Sequence, residues 1–139
     1  MRVALERTAL ALDSGGTARM LRSLEEALAR RGDVDLVRLS APAAPGGRAI
    51  RGVLREGLWM PLLLGRRARA TGADLLHCPT PVAPARAPLP LVVTAHDTFP
   101  LAHPEWFSRA NVLQHRLIAG RALRHADAVI CPSGFTAAA

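Results

Sequence analysis

The stretch from Leu91 to Asp97, LVVTAHD, constrains the fold more than any other part of the chain. Five apolar or β-branched residues run into a His–Asp pair, with Pro88 and Pro90 before the run and Pro100 after it. A short apolar run bounded by breakers reads as a strand buried on both faces. Such strands belong to parallel sheets covered by helices. In those sheets ligands bind beyond the carboxyl ends of the strands. His96 and Asp97 stand at that end, which makes them the first candidates for chemistry.

The rest of the chain supplies the sheet and its helices. RVAL at 2–5 begins a strand, and Asp13, Ser14, Gly15, Gly16 and Thr17 form a turn rich in residues that tolerate positive φ. A helix follows, with Met20, Leu21, Leu24, Ala27 and Leu28 on one face and Arg19, Arg22, Glu25, Glu26 and Arg30 on the other. Ser14 or Thr17 is expected to cap it, and Gly32 follows its end. VDLVRL at 34–39 reads as a second strand. Between Ile50 and Ala70 the pattern is helical, with Ile50, Val53, Leu54 and Leu58 in phase; Pro61 is expected to start a second helix. ADLLH at 73–77 and the run at 91–96 give strands three and four. Ser108 caps a helix through about His125, with Ala110, Leu113, Leu117 and Leu123 as expected core positions. DAVIC at 127–131 is the fifth strand, and a further helix begins at Ser133.

Strands alternating with helices predict an α/β fold, a Rossmann-like doubly wound parallel sheet. The expected strand order is 3-2-1-4-5, which sets the Gly-Gly turn and His96-Asp97 side by side at the switch point. Cys78 and Cys131 then lie at opposite ends of the sheet, about 19 Å apart at ~4.8 Å per strand, and do not pair. The whole of 1–139 is expected to be one domain, ending inside the first turn of the helix that would cover strand five. A frayed end and an exposed apolar patch are expected there.

Composition narrows the function. The net charge of +7 comes entirely from Arg, since no Lys occurs, and it favours anionic partners. Nucleic acid is disfavoured, because the chain has no Tyr and few Phe or Trp to interleave with the basic residues. No apolar run is long enough to span a bilayer, and Glu6 interrupts the N-terminal one too early for a signal peptide. The two cysteines lack zinc spacing and read as reduced thiols, so a cytoplasmic location is expected. His77, His96 and His103 have no carboxylate spacing to support ligation, and no metal site is expected. Gly15, Gly16 and Thr17 at a helix N-terminus fit an anion, and Arg19 in the first turn either joins them or faces solvent. The Arg-rich apolar segment 48–69 fits either a helix packed on the sheet, the favoured alternative, or one lying on anionic lipid.

Four passages together resemble the N-terminal half of retaining glycosyltransferases of family 4, which have the GT-B fold. They are Gly15-Gly16-Thr17-Ala18-Arg19; Arg55-Glu56-Gly57-Leu58-Trp59-Met60-Pro61 with Gly72 to Pro79; Val92 to Phe99 continuing to His103-Pro104-Glu105-Trp106-Phe107; and Arg124 to Ser133. The resemblance covers essentially the whole chain in order. It departs at Glu6, where such proteins often have Asp after the first strand, and in the Gly-Gly-Thr-Ala turn, which lacks a further glycine.

The resemblance implies transfer of a sugar from a nucleotide-sugar donor to a glycan or lipid-linked acceptor, with no cofactor and no metal. It implies that this is the acceptor-side domain and that a C-terminal donor-binding domain is missing, without which the chain is inactive. His96 would contact the transferred sugar or an acceptor hydroxyl without acting as a general base, Asp97 would orient it or accept from a neighbouring loop, and Gly15, Gly16, Thr17 and Arg19 would face the donor phosphates. The competing reading is a stand-alone, non-catalytic module that binds a sugar, a nucleotide or a partner chain.

Overall fold

The computed structural model describes all residues except 13–14, 43–46, 85, 97–98 and 139. Five parallel strands form one sheet: β1 (Arg2–Glu6), β2 (Asp35–Leu39), β3 (Leu75–Cys78), β4 (Leu91–Thr94) and β5 (Ala128–Ile130). The doubly wound α/β architecture read from the sequence is present. The strand order is not the expected one. It is β2-β1-β3-β4-β5, so β1 lies between β2 and β3 and does not touch β4. In β1–β3 pairing Leu5 stands opposite His77, and in β3–β4 pairing His77 stands opposite Val92.

Charge explains the order. β2 is DLVRL, with two charged residues in five, and it is buried nowhere along its length. Such a strand is suited to an edge. β3 is LLHC, uncharged and buried at its last three positions, which requires helices on both faces. The chain therefore runs outward from β1 to β2, then crosses back over β1 to place β3 on its other side. The switch point falls between β1 and β3. Cys78 and Cys131 consequently sit on strands separated only by β4, about 10 Å apart, and both are free thiols.

Two cores cover the sheet. On one face Ala4, Leu76, Cys78, Leu91 and Val93 pack against Trp59, Met60, Leu64 and Ala68. On the other, Leu5 packs with Ala9 and Leu21, flanked by Leu24 and Leu36. Short helix α1 (Ala9–Leu12) and helix α2 (Gly16–Ala29) form the second layer. The phase expected for α2 is right for Leu21 and Leu24 and wrong for Glu25, which is buried. It meets Arg7 at 3.1 Å and Arg38 at 3.6 Å, so two guanidinium groups from strand ends draw it inward.

The segment 48–70 is a single run rather than two helices. It consists of α3 (Arg48–Leu54), a π-helical stretch Arg55–Leu63 and α4 (Leu64–Ala70). Pro61 lies inside the π stretch. Proline has no N–H, and its ring crowds the carbonyl four residues back in an α-helix. Widening to i→i+5 bonding relieves that crowding, and the bond from Leu64 N–H to Trp59 O has this spacing. The widened turn also rotates the buried face. Arg55, Trp59, Met60, Leu64 and Ala68 point inward, whereas Ile50, Val53, Leu54 and Leu58, the positions in phase at 3.6 residues, are exposed.

The same correction applies to the last long helical run, α6 (Arg109–Gln114), a π stretch His115–Ala119 and α7 (Gly120–His125). Ser108 caps it as expected, its Oγ accepting from Asn111 N–H at 3.2 Å. Its buried residues are Val112, Ala119 and Ala122; Ala110, Leu113 and Leu117 are exposed and Leu123 only flanks the core. Two small helices, α5 (Phe99–Ala102) and α8 (Gly134–Ala138), follow β4 and β5.

Gly65 marks the closest approach between this framework and the β3–β4 connection. A Cβ there would stand 2.8 Å from Pro88 Cδ. Gly65→Ala is expected to lower stability by about 1–3 kcal/mol through overpacking. Pro88→Ala in the same chain removes the opposing ring atoms and is expected to restore part of the loss. Urea midpoints of the two single variants and the double variant check this.

Candidate functional site

The carboxyl ends of the strands are joined by one line of polar contacts. It begins beside β2, where Ala41 N–H donates to Thr8 Oγ1 at 2.9 Å. Thr8 N–H donates to Glu6 Oε1 at 2.8 Å. Glu6 has no exposed surface, because strand alternation turns it to the same face as buried Ala4. Its other oxygen accepts from Arg55 Nη2 at 3.4 Å, and the same nitrogen donates to Thr80 Oγ1 at 3.2 Å. Arg55 itself is 8% exposed. The ion pair therefore spans the switch point, from the end of β1 to the loop after β3.

The line continues through that loop to β4. His96 Nε2 donates to Pro79 O at 2.7 Å. A carbonyl can only accept, so the bond fixes a hydrogen on Nε2 and leaves Nδ1 of the neutral ring as an acceptor. His96 O accepts from Thr136 Oγ1 at 3.4 Å, and Thr136 N–H donates to Ser133 Oγ at 3.2 Å beyond β5. His96 is half-buried, with its ring held through Nε2. This arrangement can present a fixed hydrogen-bonding nitrogen to a hydroxyl group.

The sequence candidates fall in different places. His96 lies where it was expected, at the end of β4. Asp97 lies outside the described residues, as does Ser14, one of the two expected caps for α2. Gly15 is the N-cap of α2 at φ −80°, so no positive φ calls for glycine there, and Thr17, the other expected cap, lies inside the helix. A Cβ on Gly16 would meet nothing within 4 Å, and both Gly15 and Gly16 are exposed. Thr17 is half-buried and Arg19 is exposed. The turn and His96 are not on adjacent strands, because β3 intervenes. The expected side-by-side placement is corrected to a separation of two strand spacings, about 10 Å.

Glu6, Arg55 and Thr80 were not among the site candidates. Glu6 had a signal, a lone carboxylate closing an apolar strand. Arg55 was hidden by its neighbours, since 3.6-residue phasing sets it among surface arginines. His77 stands apart from this line. It is central rather than at an edge, buried in the sheet, and its Nε2 lies 2.9 Å from Thr94 Oγ1. Among the described residues there is no group of three His, Cys, Asp or Glu placed to hold a metal ion. Burial pushes the Cys78 thiol well above its ordinary range, with the Glu6 carboxylate adding to the shift.

The fold is that of a doubly wound α/β domain, with a line of polar contacts along the carboxyl end of its sheet. The family model described as Glycosyltransferase Family 4 matches residues 14–139. The chain belongs to that family. Comparison with curated proteins gives no match, and comparison with solved structures gives none either.

Burial lowers the His77 imidazole from 6.5 to about 4. Below about pH 6.5 the unfolded chain takes up a proton that the folded chain refuses until about pH 4. This contribution to stability is therefore full above pH 6.5 and falls as pH drops toward 4, by at most ~1.4 kcal/mol per pH unit. His77→Gln is expected to flatten that part of the profile. Urea midpoints of the variant and the parent at pH 7, 5.5 and 4.5 check it; parallel profiles would refute it.

Proposed function

We propose that this chain works as the acceptor-side domain, residues 1–139, of a two-domain GT-B enzyme that retains configuration. The reaction moves a hexosyl group from a nucleotide-sugar donor to a glycan or lipid-linked acceptor, without a metal or other cofactor. The observation that carries this reading is the match to glycosyltransferase family 4 over residues 14–139, with His96 anchored at the carboxyl end of β4. In this reading Nδ1 of His96 accepts from a hydroxyl of the bound sugar, and Asp97 orients His96 or accepts from a neighbouring loop. Gly15, Gly16 and Thr17 stand at the start of a 14-residue helix, whose N-terminal dipole suits the donor phosphates, with Arg19 beside them. A second domain supplies most of the nucleotide contacts.

Among the described residues no helix is long and apolar enough to cross a membrane. We place the enzyme in the cytoplasm, where nucleotide-sugar and free thiols coexist, with contact to the inner membrane face through 48–69. The exposed Ile50, Val53, Leu54, Leu58 and Leu62 support that contact, with Arg66, Arg67 and Arg69 exposed further along the same run. Apolar side chains beside cations suit an anionic headgroup layer.

The two-domain enzyme carrying His96→Ala is expected to lose about a hundredfold in kcat, within the range of a lost transition-state hydrogen bond. Its urea midpoint should stay within about 1 kcal/mol of the parent, since the ring is half-buried at a strand end. The check is transfer from a panel of UDP- and GDP-sugars; full activity in the variant would remove His96 from the site. The 139-residue chain by itself is expected to bind those nucleotides weakly, and tight binding by the isolated chain would favour a different nucleotide-binding role. For the membrane contact, Leu58→Glu with Leu62→Glu is expected to abolish sedimentation with phosphatidylglycerol vesicles while leaving neutral vesicles unbound throughout.

A further inference from the structure

The chain has three Phe and two Trp, and among them only Trp59 is buried. The others are gathered in one place. Phe99 in α5 lies 6.0 Å from Trp106 and 5.8 Å from Phe135 of α8, ring centre to ring centre, at tilts of 36° and 34°. His103 lies flat on Trp106, at 4.1 Å and 10° between planes. Phe107 follows Trp106 in the chain. A protein so short of aromatic residues would ordinarily bury them, because each removes a large apolar area from water. Here Trp106 is 61% exposed and Phe135 59% exposed.

The cluster is polar at its rim. Glu105 Oε1 lies 3.2 Å from His103 Nδ1, and the Glu105 side chain is 62% exposed. The rings also stand beside the site. Phe99 starts the helix after β4, three residues beyond His96, and Phe135 precedes Thr136, whose hydroxyl donates to His96 O. A flat ring face, backed on one side by an imidazole and with a carboxylate at its rim, has two recognition surfaces at right angles. One takes a patch of C–H bonds, and the other takes hydroxyl groups. A pyranose ring presents that combination: axial C–H bonds on its face and hydroxyls around its rim. A purely apolar partner would leave the Glu105 carboxylate desolvated and unpaired.

We propose that Trp106, backed by His103 and flanked by Phe99 and Phe135, is a stacking platform for a pyranose unit of the acceptor, with Glu105 accepting from its hydroxyls. The assignment rests on the sugar-transfer reading above and names the part of the acceptor that this domain grips. The platform holds a sugar one step away from His96 and so aligns the acceptor hydroxyl without touching the reacting bond.

The test uses the 139-residue chain labelled with ¹⁵N. Trp106→Phe assigns the two indole N–H signals. The parent chain is titrated with methyl pyranosides of mannose, glucose, galactose and N-acetylglucosamine and with their disaccharides. At least one saccharide is expected to shift the Trp106 indole signal saturably. Trp106→Ala is expected to weaken that saccharide by about tenfold, or ~1.4 kcal/mol, and Trp106→Phe by less; Glu105→Gln should weaken it without moving the urea midpoint. Binding that perturbs His96 but is unchanged in Trp106→Ala overturns the platform and leaves the glycosyltransferase reading standing. No response to any saccharide also overturns it, while the reading stands or falls on the His96→Ala transfer assay. A Trp106 shift produced only by lipid vesicles, or only by raising protein concentration, assigns the cluster to a membrane or to a second copy instead and equally overturns the proposal.

Discussion

The buried pair of Glu6 and Arg55 is the contact on which the arrangement of the strand ends depends. Removing two such ions from water costs several kcal/mol each, and attraction alone offsets this only when the remaining polar atoms are also satisfied. Glu6 meets the condition with Thr8 N–H on one oxygen and Arg55 on the other. Arg55 shares Nη2 between Glu6 and Thr80, while its Nε has no partner among the described residues. A pair of this kind adds little stability over two apolar side chains of similar size. What it adds is position. Only one rotation of the 48–70 run lets Arg55 reach Glu6, and that rotation also points Trp59, Met60 and Leu64 into the core.

That rotation connects the energetics to the errors of sequence phasing. Two helical runs carry a π stretch, and both present the face that 3.6-residue periodicity assigns to solvent. Around Arg55–Leu63 the cause is legible, because Pro61 forbids ordinary α-geometry. Around His115–Ala119 no proline announces it, and Leu117 was placed in the core on spacing that the backbone does not follow. The strands were legible for the opposite reason. Their period is short, their breakers are Pro and Gly, and a slip of one residue in β2 would turn charged Arg38 inward. All five appear where the apolar runs lie.

Strand order was the part misread, and the information was present. DLVRL carries the charges of an edge strand, and LLHC has none. Weighing that difference gives β3 a central place and moves the switch point from β1–β4 to β1–β3. The consequence for the site is concrete. The position of His96 beyond β4 was legible because a strand end is a local feature. The pair that flanks it was not, because Glu6, Arg55 and Thr80 come together only when β3 lies beside β1. A contact made across three separate segments leaves no spacing in the sequence to read.

The aromatic residues show how composition and position carry different information. Their scarcity argued against interleaved stacking on nucleic acid, and that argument concerns number alone. Their location is a separate matter. A chain that fills its core with Leu, Val, Ala and Met has placed four of its five aromatic side chains on the surface, with Trp106 and Phe135 both set against Phe99 beyond the carboxyl end of the sheet. Core packing does not require them there, since Val93 and Leu91 are sealed without their help. Exposed aromatic surface raises the free energy of the free domain relative to a state in which something flat and partly apolar covers it. The same end of the sheet therefore holds two kinds of group, a fixed hydrogen-bonding imidazole and an uncovered ring surface. Together they are what a hydroxyl-bearing ring needs in order to be both held and aimed.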